Sequence, residues 1–85
     1  MNPRIRKVIP NENYTLNLTF DNGEKKIFDM KKLLNLGVFQ ELKNIDYFKK
    51  VKPLYGSIAW PHGQDVCPDT LYEESEQVSP LKSTS

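Results

Sequence analysis

YTLNLTFDNGEKKIFD, residues 14–29, carries the clearest pattern in the chain. Tyr14, Leu16, Leu18 and Phe20 alternate with Thr15, Asn17 and Thr19. Apolar residues at every second position put one face of an extended strand in a core and the other face outside it. Asp21-Asn22-Gly23 follows at once, and Asn-Gly is a strong hairpin signal because both residues tolerate positive φ. Glu24–Asp29 is then the returning strand. Two registers are open. A two-residue turn at Asn22-Gly23 pairs Leu18 with Ile27, whereas a three-residue loop with a bulge at Gly23 pairs Leu16 with Phe28. In either register, one of Ile27 and Phe28 points away from the Leu16/Leu18 face.

Outward from this hairpin the chain reads as short elements. Arg4–Ile9 is a strand ended by Pro10 and the polar Asn11-Glu12-Asn13. Ile5 and Val8 have opposite parity, so on a regular strand one of them joins the outer face. After the hairpin, Asp29 caps a helix through Leu36, and Gly37 stops it. Val38, Phe39, Leu42, Tyr47 and Phe48 supply further apolar anchors, with Asn44 or Asp46 as a cap. Val51–Leu54 and Ser57–Trp60 are two more strands around Tyr55-Gly56. Pro68-Asp69 opens a short helix carrying Leu71 and Tyr72. The expected fold is α+β: a small, mostly antiparallel sheet of about five short strands in the order β-ββ-α-α-ββ, with short helices on one face. Residues 1–72 form a single domain in this reading, and residues 73–85 a disordered polar tail.

Composition narrows the function classes. An apolar content of 38% is low, and the nine aromatics must fill much of a compact core. No apolar run approaches the roughly 20 residues of a membrane helix. The opening MNPRIRKVIP has no apolar signal-peptide region, and a lone cysteine cannot form an internal disulfide, so a reducing, cytoplasmic location is expected. Residues 1–52 carry eleven Lys/Arg against six Asp/Glu, and residues 53–85 one against five. That asymmetry suits a nucleic-acid surface at Arg4, Arg6, Lys7 and the Lys pairs. A solvated surface explains it better, because few of the basic residues are Arg and no aromatic-basic stacking motif appears.

WPHGQDVC, residues 60–67, gathers the only tryptophan, histidine and cysteine. A Cys nucleophile needs a base and an orienting third group. His62 and Asp65 are candidates, but no oxyanion loop accompanies them. A metal site needs three or four ligands; at most three candidate donors lie here, and no further Cys or His is present to close a structural site. The structural reading is stronger. Trp60 buries its ring, Pro61 and Gly63 set a turn, and Asp65 accepts backbone N–H groups in that turn or caps the following segment. No catalytic residue, cofactor or metal is assigned. Asp69 with Glu73 and Glu74 reads as helix-start and surface charge rather than a carboxylate pair.

The residues so far resemble a bacterial family catalogued as domain of unknown function 2442. The resemblance covers about residues 5–72. It is carried by Phe20, Gly23, Phe28-Asp29, Leu33-Leu34, Gly37, Phe39, Leu42, Phe48, Ile58, Trp60-Pro61, Gly63, Asp65 and Leu71-Tyr72. It implies a small α+β module without established enzymatic activity. It also implies, for some members, a toxin–antitoxin-like pairing with a small protein encoded alongside. His62 and Cys67 are not part of the shared pattern.

The expectation is therefore a non-enzymatic protein-interaction module, with a nucleic-acid-binding accessory as the alternative. The candidate interface is the outer sheet face, with Thr15, Asn17 and Thr19 plus Ile27 or Phe28. A half-apolar outer face on so small a domain favours a homo-oligomer or a small protein partner.

Overall fold

The computed structural model describes residues 2–78. The described residues form an α+β domain with seven strands in two antiparallel sheets. β1 (Ile5–Pro10), β2 (Thr15–Phe20), β3 (Lys25–Asp29) and β7 (Glu76–Gln77) form one sheet in that order. β4 (Lys52–Leu54), β5 (Ser57–Ala59) and β6 (Asp65–Val66) form the second. Between them run 3₁₀ turns at Met30–Leu33 and Gly37–Lys43, and the helices α1 (Ile45–Phe48) and α2 (Pro68–Glu74).

One loop design recurs. Phe20 N–H donates to the Glu24 carbonyl and Gly23 N–H to the Phe20 carbonyl. Trp60 with Gln64 and Gly63 repeats both bonds, and so does Asn11 with Thr15 and Tyr14. Each is a three-residue loop whose last residue has positive φ: Gly23 at 92°, Gly63 at 97° and Tyr14 at 65°. The loop selects the longer of the two hairpin registers, with Leu16 opposite Phe28 and Asn17 opposite Ile27. Phe28 therefore lies on the inner face.

β1 resolves its parity conflict with a bulge between Ile5 and Lys7. The extra residue turns both Ile5 and Val8 inward, opposite Phe20 and Leu18. Ile5 is buried and Val8 packs against the core, so neither of them joins the outer face. Ile9 takes that place, 45% exposed beside Asn17.

The stretch expected as one helix from Asp29 to Leu36 is instead a run of 3₁₀ turns. Asp29 does cap its start, accepting from Lys31 N–H at 2.8 Å. Gly37 begins the next turn rather than ending a helix. The buried anchors explain this: Met30, Leu34, Phe39 and Leu42 are spaced by four, five and three residues. One straight α-helix, advancing about 100° per residue, would put Phe39 on the side opposite Met30. α1 starts at Asn44, whose side chain accepts from Asp46 N–H. α2 starts with Pro68 in its first turn and buries Leu71.

The core lies between the inner face of the larger sheet and a layer made of the helical turns and the smaller sheet. Leu16, Leu18, Phe20, Phe28, Met30, Leu42, Phe48, Ile58 and Leu71 are fully buried. Lys26 also faces inward, opposite Leu18. Its ammonium donates to the Tyr72 carbonyl at 2.5 Å and sits 4.0 Å from the Tyr72 ring centroid, so the buried charge is satisfied.

The ordered fold extends past residue 72. Glu73 and Glu74 complete α2, and β7 pairs with β3 through Gln77 opposite Lys26 and Glu76 opposite Ile27. A polar strand two residues long carries no hydrophobic periodicity, so sequence patterning passes over it. Residues 79–85 of the expected tail lie outside the described residues.

Candidate protein-interaction face

The outer face of the larger sheet is covered by no other described element. The pairing sets its layout in rows. The middle row runs Ile9, Asn17, Ile27, Glu76 across the four strands. A second row runs Lys7, Thr19, Lys25, and Val78 joins it because its N–H donates to the Lys25 carbonyl at 3.0 Å. Toward the other end, Thr15 lies opposite Asp29.

Ile9, Ile27 and Val78 are each between about 38% and 45% exposed. They line a shallow depression of about 260 Å³ together with Lys7, Asn17, Thr19 and Lys25. A second hollow of about 320 Å³ begins at Ile27 and continues over Thr15 and Asp29 to Lys32, Glu74 and Glu76. The face is thus apolar in the middle, basic at the Lys7/Lys25 end and mixed in charge at the other. There, Lys31 lies 3.6 Å from Asp29 and Lys32 lies 3.3 Å from Glu74. Lys7 and Lys25 make no ion pair among the described residues.

Thr15, Asn17, Thr19 and Ile27 therefore share this face. Phe28 does not: it is wholly buried, because the three-residue loop gives it the parity of Leu16. Sequence reasoning missed Ile9 and Val78, and it named Lys7 and the Lys25-Lys26 pair only for the nucleic-acid alternative, without placing Lys7 and Lys25 on this face. The alternation in β1 carried the signal for Ile9 and Lys7 once the bulge is counted. Nothing in the polar stretch around Val78 signalled a strand.

The basic residues of the N-terminal half are dispersed. Arg4 packs on Gly56, Lys26 is buried, and Lys31, Lys32 and Lys49 sit in ion pairs. Lys49 and Glu12 are 2.8 Å apart; the ammonium's hydrogen bond and charge lower the Glu12 pKa, and the carboxylate raises that of Lys49.

WPHGQDVC folds as a hairpin loop. Trp60 is 3% exposed, and its Nε1–H donates to the Phe48 carbonyl at 2.8 Å. Pro61 and Gly63 lie in the loop, with Gly63 at φ 97°. His62 Nδ1 contacts Glu41 Oε2 at 2.6 Å, and neither Asp65 nor Cys67 is its hydrogen-bond partner. Gln64 Nε2–H donates to the other Glu41 oxygen at 2.9 Å, and Tyr47 O–H donates to Gln64 Oε1 at 2.6 Å. This chain of bonds braces the loop against Glu41 and Tyr47. Asp65 does not accept the expected backbone N–H groups: its side chain is exposed on β6 and makes no hydrogen bond among the described residues. The carbonyls of Trp60 and Gln64 already satisfy the loop. Cys67 is exposed, and no group of three or more His, Cys, Asp or Glu side chains among the described residues is placed to hold a metal ion.

One family model matches residues 5–77, a span that contains the two glycine loops, Trp60 and the helix carrying Leu71 and Tyr72. The chain belongs to the DUF2442 family, proteins of unknown function. The match ends at Gln77, the last residue of β7, so the family unit includes the polar edge strand. No curated protein and no solved structure matches this DUF2442 chain. No described helix is long and apolar enough to cross a membrane.

Proposed function

We propose that this DUF2442 domain is a non-enzymatic protein-interaction module that binds through the open face of its larger sheet. The observation that carries the reading is three apolar side chains left uncovered on one sheet face: Ile9 and Ile27, in a row with Asn17, and Val78 in the next row at the sheet edge. Uncovered apolar surface on a small domain is stabilised by association. The occupant in this reading is a second copy of the chain or a small protein encoded alongside it, as in a toxin–antitoxin-like pair.

The test is light scattering over a dilution series, with co-purification of the neighbouring gene product. Ile27→Glu and Thr19→Lys are compared with the wild type, and circular dichroism checks that each variant is folded. The reading expects association or co-purification by the wild type, persisting at about 0.5 M salt, where phosphate-driven binding collapses. Both variants are expected to lose it. A 9.9 kDa monomer at high micromolar concentration, with partner capture unchanged in both variants, would refute the reading. Steeply salt-dependent oligonucleotide binding that maps to Lys7 and Lys25 would support the nucleic-acid alternative instead.

A further inference from the structure

Among the described residues, two other than glycine hold positive φ, Tyr14 at 65° and Tyr55 at 50°. Bulky side chains rarely adopt this backbone, so each case calls for a cause. Tyr14 has one inside the fold. Its ring packs edge-on to Phe48 at 5.2 Å, and its hydroxyl donates to the Lys43 carbonyl. Tyr55 has none. Its residue is 89% exposed, and its ring makes no hydrogen bond among the described residues.

The turn that presents Tyr55 is nonetheless held firmly. Ile5 N–H donates to the Gly56 carbonyl at 2.9 Å, and Arg4 Nη1–H donates to the Tyr55 carbonyl at 3.4 Å. A Cβ on Gly56 would lie 2.4 Å from Arg4 Cδ, so Arg4 packs directly on the turn backbone. The ring is thus displayed from a braced hairpin tip, which lowers the ordering cost of any contact it makes.

Beside the tip lies a cleft of about 300 Å³. Pro53, Leu54, Ala59, Trp60 and Pro61 give it apolar walls, and Leu54 is itself 50% exposed. Its charged lining residues are Lys50 and Lys52, and neither makes an ion pair among the described residues. An apolar hollow edged by two cations complements an apolar side chain flanked by carboxylates.

We propose that this cleft and Tyr55 form a second docking site, separate from the open sheet face, for an extended acidic segment of a partner protein bearing one large apolar side chain. The apolar side chain enters between Leu54 and Trp60, the flanking carboxylates meet Lys50 and Lys52, and Tyr55, next to Leu54 and outside the cleft itself, packs on the segment as it leaves the cleft. Tyrosine is among the residue types that most often dominate interface energetics.

The site carries its own reporter, since Trp60 is the only tryptophan and lines the cleft. The experiment titrates the protein with a short blocked peptide of glutamates and aspartates around a central Leu-Phe. The same peptide with every acid replaced by lysine, and oligothymidylate, serve as controls. The expected result is a saturable change in Trp60 fluorescence with the acidic peptide, and binding at least about tenfold weaker for the lysine peptide. The double variant Lys50→Glu/Lys52→Glu is expected to lose binding. Tyr55→Gly is expected to weaken binding by about tenfold or more while raising Tm, because glycine takes positive φ freely. Ile27→Glu should bind the peptide normally, which separates this site from the open face. Equal binding of the two peptides, preferential binding of oligothymidylate, no titratable change with the acidic peptide, or full affinity in Tyr55→Gly would each overturn the proposal.

Discussion

Replacing Trp60 with alanine tests the core where the two sheets and α1 meet. The ring is 3% exposed, its centroid lies 6.0 Å from that of Phe48, and its N–H holds the Phe48 carbonyl. Deleting a buried aromatic of this size costs about 3–5 kcal/mol. At roughly 0.05–0.15 kcal/mol per residue, a chain of 85 residues holds only about 4–13 kcal/mol in all. Trp60→Ala therefore removes between about a quarter and all of the stability. At about 4–8 °C per kcal/mol for a domain of this size, Tm falls by at least ~12 °C. Trp60→Phe separates packing from hydrogen bonding. It keeps an aromatic ring, and the Phe48 carbonyl retains a longer bond from Val51 N–H at 3.4 Å. The lost hydrogen bond then costs about 1 kcal/mol, with a further packing loss for the smaller ring. Thermal and urea melts followed by far-ultraviolet circular dichroism measure both variants without relying on the tryptophan. A Tm for Trp60→Ala within about 3 °C of wild type would refute the burial argument.

Gly56→Ala and Gly23→Ala should differ, although both residues have positive φ. A Cβ at Gly23 meets nothing within 4 Å and costs only the backbone penalty, about 1–2 kcal/mol, whereas a Cβ at Gly56 also collides with Arg4. Urea midpoints should show Gly56→Ala as the more damaging, with partial rescue by Arg4→Ala; equal midpoints would contradict this. Glu24 accepts hydrogen bonds from Tyr72 O–H, Asn22 and Gln77, and these hold its pKa below the ordinary 4.5. The depressed folded pKa means its contribution is full above 4.5 and is lost as pH falls through the lower folded value. The Tm gap between wild type and Glu24→Gln should therefore close as pH drops below about 4.5, and a gap that stays constant would remove the argument. His62→Ala should change stability by no more than about 0.5 kcal/mol, because its ring contact with Glu41 is solvent-exposed. A large loss in a urea titration would show that the loop network depends on that imidazole.

The parts of the fold that were legible rest on short-range chemistry. The Tyr14–Phe20 alternation and the Gly23 and Gly63 turns are local, and they appear as β2 and two matching loops. Thr15, Asn17 and Thr19 follow from that alternation, whereas the choice of Ile27 over Phe28 is made by the three-residue loop at Gly23. What was not legible depends on tertiary context. The β1 bulge exists because Ile5 and Val8 both gain burial, and parity alone assigns one of them outward. Asp65 was read as a loop acceptor from its residue type, but the loop closes through carbonyls already in reach. The αL backbone of Tyr14 is repaid by Phe48 and Lys43, residues far along the chain, so no turn rule anticipates it.

β7 gives the sheet a guarded border. Without it, β3 would offer a bare row of amides and carbonyls to any extended chain, next to the exposed Ile27. The guard is short, with two paired residues and the Val78 N–H beyond them, and Gln77 is further tied to Glu24 by a side-chain bond of 2.7 Å. So few bonds open more easily than the rest of the sheet. Amides on the β7 side of β3 should exchange with deuterium ahead of those shared between β2 and β3, and uniform protection across the sheet would argue otherwise. Shortening the chain after Glu74 would leave that border permanently open, and self-association through strand pairing, with growth into aggregates, is the expected outcome.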